Sequence, residues 1–112
     1  MANNTPLNTF KNLAVELTTS TTVVYTTPAG VTTIVLGAMA SNFSNQATTV
    51  KFSLVKNSTE FVLLNDFEIP PNDAAEVITS KLVIEENSSV QASAGEDGRL
   101  NLAFSILETS NE

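Results

Sequence analysis

Residues 100–106 read Leu-Asn-Leu-Ala-Phe-Ser-Ile, with large apolar side chains at Leu100, Leu102, Phe104 and Ile106 and smaller or polar ones between. A strict period of two places all four on one face of a β-strand and leaves the other face to small or polar groups. The same period recurs upstream. Val90, Ala92 and Ala94 alternate with Gln91 and Ser93; Val50, Phe52 and Leu54 with Lys51 and Ser53; Leu13, Val15 and Leu17 with Ala14 and Glu16. Residues 31–40 form the longest strand candidate, with Ile34, Leu36, Ala38 and Ala40 on the inward face and Val35, Gly37, Met39 and Ser41 on the reverse.

Turn chemistry separates these runs. Thr27-Pro28-Ala29-Gly30 places Pro and Gly as a tight turn requires, and Asn42–Gln46 and Asn57-Ser58-Thr59 are polar breaks. A strand over Phe61–Leu64, continued by Phe67 and Ile69, stops at Pro70-Pro71-Asn72-Asp73, because proline cannot donate to a ladder. Ala75 and Val77, then Leu82 and Ile84, supply two short strands; Asn87-Ser88 turns the chain, and Gly95-Glu96-Asp97-Gly98 reads as a hairpin loop. Helical periodicity is absent even in residues 73–82, where β-branched residues follow two prolines. Eight or nine short strands with Gly and Pro turns predict an all-β, antiparallel, jelly-roll-like β-sandwich. Residues 1–11 read as an extended N-terminal arm, 12–108 as the sandwich domain and 109–112 as a polar tail.

Composition narrows the function classes. At 112 residues the chain makes one domain with a core of its own. Five basic residues against twelve acidic ones give a net charge of −7, too little positive charge to neutralise phosphates, so neither nucleic acid nor an anionic membrane is an expected partner. The acidic balance keeps the protein soluble and favours a basic protein partner. There is no Cys and no His, which removes thiolate and imidazole chemistry. The opening residues have no basic and apolar regions of a signal peptide, and no run approaches the roughly 18 apolar residues of a membrane span.

Catalysis would then rest on carboxylates. Asp66 and Glu68, two apart on an extended strand, would project from one face about 6.6 Å apart, a separation two glycosidase carboxylates can use, but also that of any solvated strand face. Glu85 and Glu86 point to opposite faces, and Glu96 and Asp97 supply two carboxylates on a loop too short for a calcium site. No nucleotide, hydrolase or metalloprotease motif occurs. The expected protein is not an enzyme and holds no cofactor or metal.

Apolar residues in excess of one inward face point to binding instead. Val35, Met39, Val55, Val62, Leu64, Val83 and Leu107 are candidates for an interface, together with the arm's anchors Leu7 and Phe10, which dock on their own domain or on a neighbour. Such an arm can also add a strand to an exposed sheet edge, and Lys51, Lys56 and Glu60 could guard edges against unwanted pairing.

Two stretches carry a family resemblance. VVYTTPAGVTTIVLGAMASN, residues 23–42, resembles the VYTxPAGxTxIVLGxxxxN opening of small virion proteins of tailed phages, especially cyanophages. FVLLNDFEIPPNDAAEVITSKLVIEENSSVQASA, residues 61–94, is similar to the second half of that family, a strand, an Ile-Pro turn and a hairpin. The resemblance spans residues 22–107; where the family often has Gly-Asp before the last hairpin strand, this chain has Asn87-Ser88, which alters only the turn type. It implies a β-sandwich subunit of a phage particle, made in the host cytoplasm and ending in the virion. It also implies self-association, a trimer being one form, and contact with the major capsid protein or another virion protein. The expected role is capsid decoration or cement. A tail, neck or fibre adaptor is the first alternative, and a host-surface carbohydrate-binding module the second, weakened by one Tyr and no Trp. Tyr25–Gly30 would be a structural turn in that family.

Overall fold

A computed structural model describes residues 8–78 and 81–110. Nine strands follow one another: β1 (Asn8–Leu17), β2 (Thr22–Thr26), β3 (Val31–Asn42), β4 (Thr48–Lys56), β5 (Thr59–Ile69), β6 (Ala74–Ile78), β7 (Leu82–Ile84), β8 (Ser89–Ala94) and β9 (Leu100–Ser110). They form two antiparallel sheets. Sheet A has the order β1-β9-β3-β6, with β7 also on β3; sheet B has the order β2-β8-β4-β5. β6 pairs with Ala38–Ser41 and β7 with Thr33–Val35, so the two pieces make one interrupted edge strand. Taking β6 and β7 as one, the chain changes sheet at every connection except β4–β5, and the two four-membered orders interleave as in a jelly roll.

The period of two builds the core where it is unbroken. β9 alternates buried and exposed from Leu100 to Ile106, and β8 buries Val90, Ala92 and Ala94 from the opposite sheet. Phe52, fully buried on β4, fills the space between them. Each such large side chain contributes about 1.5–3 kcal/mol by leaving water.

Three expectations change. Val35 is not on the reverse of β3: it is fully buried, while Leu36 is 38% exposed. The cause is a β-bulge. On β9, Ile106 pairs with Val35 and Ser105 with Gly37, so Leu36 is an extra residue, and the inward set switches from odd numbers before it to even numbers after it. Ile34 and Leu36, expected inward, therefore face out, and Val35 cannot serve an interface. Second, Gly95–Gly98 is not a hairpin loop, because β8 and β9 lie in different sheets. The segment is a corner: Asp97 Oδ1 accepts from the Thr19 amide at 2.8 Å, and Glu96 Oε1 accepts from Thr48 Oγ1 at 2.7 Å. Third, β1 begins at Asn8, so Phe10 belongs to a strand and not to the arm. Leu7 lies outside the described residues.

The true two-residue hairpin is β4–β5, where Asn57 and Ser58 both have positive φ, 54° and 65°, the pattern of a type I′ turn. The other polar break is organised by buried Asn42. Its amide donates to the carbonyls of Gln46 at 2.8 Å and Ile69 at 3.1 Å, and its Oδ1 accepts from the amide of Ser44 at 2.9 Å and its hydroxyl at 2.8 Å. A buried side chain so fully satisfied pins the loop without cost.

Candidate interaction surface

The two sandwich faces that look outward differ in chemistry. On sheet B, Glu60 Oε2 accepts from Ser53 Oγ at 2.7 Å and from Gln91 Nε2 at 3.0 Å, with Lys51 Nζ 3.9 Å away. The Ser53 hydroxyl first, and the Gln91 amide next, hold the Glu60 carboxyl below the usual carboxylate range. The middle of this face is polar and hydrogen-bonded, and exposed Val23 and Val62 flank it in the row of Gln91 and Ser53.

Sheet A presents the reverse. Direct pairing sets Phe10 opposite Leu107, Leu107 opposite Ile34 and Ile34 opposite Val83. Residues directly opposite share a face, so these four form one apolar row across β1, β9, β3 and β7, about 14 Å wide at the usual strand spacing. The next row is Asn12, Ser105 and Gly37; the one beyond is Ala14, Ala103, Met39 and Glu76. The bulge adds Leu36. Between Leu36 and Met39 the floor is Gly37, with Ala103 and Ser105 beside it, which leaves a shallow groove of about 330 Å³. Among the described residues of these rows and the next one the charged ones are Glu76 and Glu16, and Glu76 lines the groove opposite Met39. Phe10 is 73% exposed, Val83 54%, Met39 46% and Leu36 38%.

Charge next to the apolar row is turned inward and neutralised. Lys11 pairs with buried Ile106 in the inward register, and its Nζ lies 2.9 Å from Glu108 Oε1. The Tyr25 hydroxyl, from sheet B, donates to Glu108 Oε2 and shares a 2.7 Å hydrogen bond with Thr33 Oγ1. Burial first, and the Glu108 carboxylate next, push the Tyr25 phenol up to about 12. Burial also pushes Glu108 up, but Tyr25 and Lys11 together outweigh it and hold Glu108 below the usual range. The cluster is a clasp between the sheets, and it occupies the one tyrosine.

The structure sorts the nine predicted interface residues. Phe10, Leu107, Val83 and Met39 come together on the outer face of sheet A. Val55 and Val62 lie on the β4–β5 hairpin, and Leu64 packs against the core from β5. Val35 is core, and Leu7 is outside the described residues. Sequence reasoning missed Ile34 and Leu36, assigned inward, and the exposed Phe61, Leu63 and Phe67 of β5. The four-residue apolar run Phe61–Leu64, which has no alternation, was the available signal.

The acidic pairs make no catalytic or metal constellation. Asp66 has φ 50° and falls where the β4–β5 register slips, so the extended geometry that would align it with Glu68 is absent. Glu85 is engaged by Lys56 and Glu96 by Arg99. Among the described residues no three acidic side chains gather as metal ligands.

No protein-family model and no curated protein matches the sequence. Solved structures do share the fold. A subunit of Bacillus endospore appendages, a family of disulfide-linked pili, aligns with 100% of this chain and 96% of its own at a TM-score of 0.55 and 8% identity. A chain of the IBDV viral particle aligns with 97% of this chain at a TM-score of 0.55 and 8% identity, and this chain spans 32% of it. A pentameric capsid protein from metagenomic phage sequences aligns over 88% of this chain and 60% of its own at a TM-score of 0.45 and 14% identity. At such identities the likeness to the appendage subunit and the IBDV chain is one of fold alone.

Proposed function

We propose that this chain is a non-enzymatic structural protein of a phage particle, a decoration or cement protein that lies on the capsid exterior and bridges neighbouring capsomers. The observation that carries the reading is the contrast between the two outward faces. A protein that only needed to stay soluble would make the middle of both faces polar; this one centres sheet B on Ser53, Glu60 and Gln91 and leaves the middle of sheet A apolar and small-floored, with Glu76 at the groove.

The magnitudes favour attachment in numbers. Phe10, Leu36, Met39 and Val83 together leave roughly 400 Å² of apolar surface in water, about 10 kcal/mol gross at ~25 cal/mol/Å². That falls within the about 4–15 kcal/mol that association costs. One copy alone therefore holds weakly, and copies joined to one another hold firmly through effective concentration. The resemblance over residues 22–107 supplies the phage context, and the jelly roll suits it. The pilus likeness supports assembly in general, but with no cysteine this chain has no disulfide with which to link subunits.

The test is to strip the protein from particles and heat them. The reading expects stripped particles to release their contents at a lower temperature than intact ones, and readdition of the protein to restore the difference. Unchanged particle stability refutes the cement role. A copy number of about a dozen, where capsid decoration needs hundreds, assigns the protein to the tail or neck.

A further inference from the structure

The second exposed apolar region is the free edge of sheet B. β5 is its terminal strand, eleven residues long, and carries the uncharged run Phe61-Val62-Leu63-Leu64. Phe61 is 51% exposed, Val62 45% and Leu63 43%, so both faces of this strand meet water. The remaining edges differ: β2 is five residues with a bulge, β6 and β7 are short separate pieces, and β1, ten residues long, is interrupted by Lys11, Asn12 and Glu16 and has no uncharged apolar run like that of β5. A long apolar edge on a soluble protein is a template for another strand.

Which strand it takes follows from the ladder. The two-residue turn at Asn57-Ser58 makes Lys56 and Thr59 the closing hydrogen-bonded pair. Antiparallel pairs alternate, so Phe61 also bonds to β4, and Glu60 and Val62 turn their N–H and C=O to the free edge. We propose that this edge pairs with the same edge of a second copy across a two-fold axis at Phe61. The register sets Phe61 against Phe61 of the second copy and Glu60 against its Val62. It makes four backbone hydrogen bonds and joins the two B sheets into one eight-stranded sheet. No like charges meet, because the only charged residue of the paired segment faces a valine. The apolar side chains on both faces of β5 are then covered together, which a partner lying on one face of the sheet would not achieve. This pairing involves a different surface from the sheet A face and does not depend on the decoration reading.

Sedimentation velocity of the full chain over a wide concentration series, with far-UV circular dichroism to confirm folding, tests it. The wild type is expected to dimerise. Val62→Glu places two pairs of like charges directly opposite and is expected to weaken dimerisation about tenfold or more. Val62→Lys faces Glu60 of the second copy and is expected to retain the dimer. A wild type monomeric throughout overturns the proposal, as does a folded Val62→Glu that dimerises like wild type. A Val62→Lys as weak as Val62→Glu overturns the register. A dimer that yields to Phe10→Asp and not to Val62→Glu places the contact on sheet A instead.

Discussion

The bulge at Leu36 decides which residues hold the sandwich together and which face outward, and neighbouring alanine substitutions test it. Val35 is fully buried against the core, whereas Ile34 stands in the outer row between Leu107 and Val83. Val35→Ala removes two methyl groups from a packed site. At about 0.5–1.5 kcal/mol for each buried methyl, cavity included, the loss is about 1–3 kcal/mol. Ile34→Ala removes more carbon, but from a partly buried position in the outer row, and should cost less than Val35→Ala. Urea unfolding followed by far-UV circular dichroism reads both, and the midpoint should fall with the slope unchanged. In thermal melts the Val35→Ala loss corresponds to roughly 4–12 °C for a domain of this size. Ile34→Ala costing as much as Val35→Ala, or more, would refute the bulge and restore the simple alternation in which Ile34 is core.

Three further outcomes follow from the geometry. Glu108 has a folded pKa below its unfolded value, so its contribution is present above about pH 4.3 and is lost as pH falls through the folded value; Glu108→Gln should lower the urea midpoint at neutral pH, and the two proteins should converge in acid. Ser58→Gly converts the hairpin tip to Asn-Gly and removes a left-handed serine, which should raise stability by about 0.5–1 kcal/mol in denaturant titration; a loss would contradict the type I′ turn. Gly95→Ala would set a Cβ 2.5 Å from Thr49 Oγ1, so a lower melting temperature is expected, and an unchanged one would show that the corner yields.

Much of the fold was legible because the two-residue period is local. Leu100–Ile106 and Val90–Ala94 declare their buried faces without knowledge of their partners, and the turn residues mark where strands stop. What the period cannot show is a bulge or a sheet change. Nothing in Ile34-Val35-Leu36-Gly37 states that one residue will lack a partner, since the slip is set by pairing with β9, some seventy positions away. Likewise Gly95–Gly98 has hairpin composition, and only the strand order reveals a corner. The interaction surface was half legible for the same reason. Phe10, Val83 and Leu107 stood out as apolar residues without an inward place, but their assembly with Ile34 into one row depends on three separate registers.

The most direct test of the central claim, that the outer face of sheet A is the attachment surface, is rebinding to particles stripped of this protein. Met39 is 46% exposed at the groove, so Met39→Asp adds a charge there without touching the core. Wild-type protein should return to its original copy number. Met39→Asp, folded and with an unchanged urea midpoint, should fail to return; full occupancy by Met39→Asp would contradict the account.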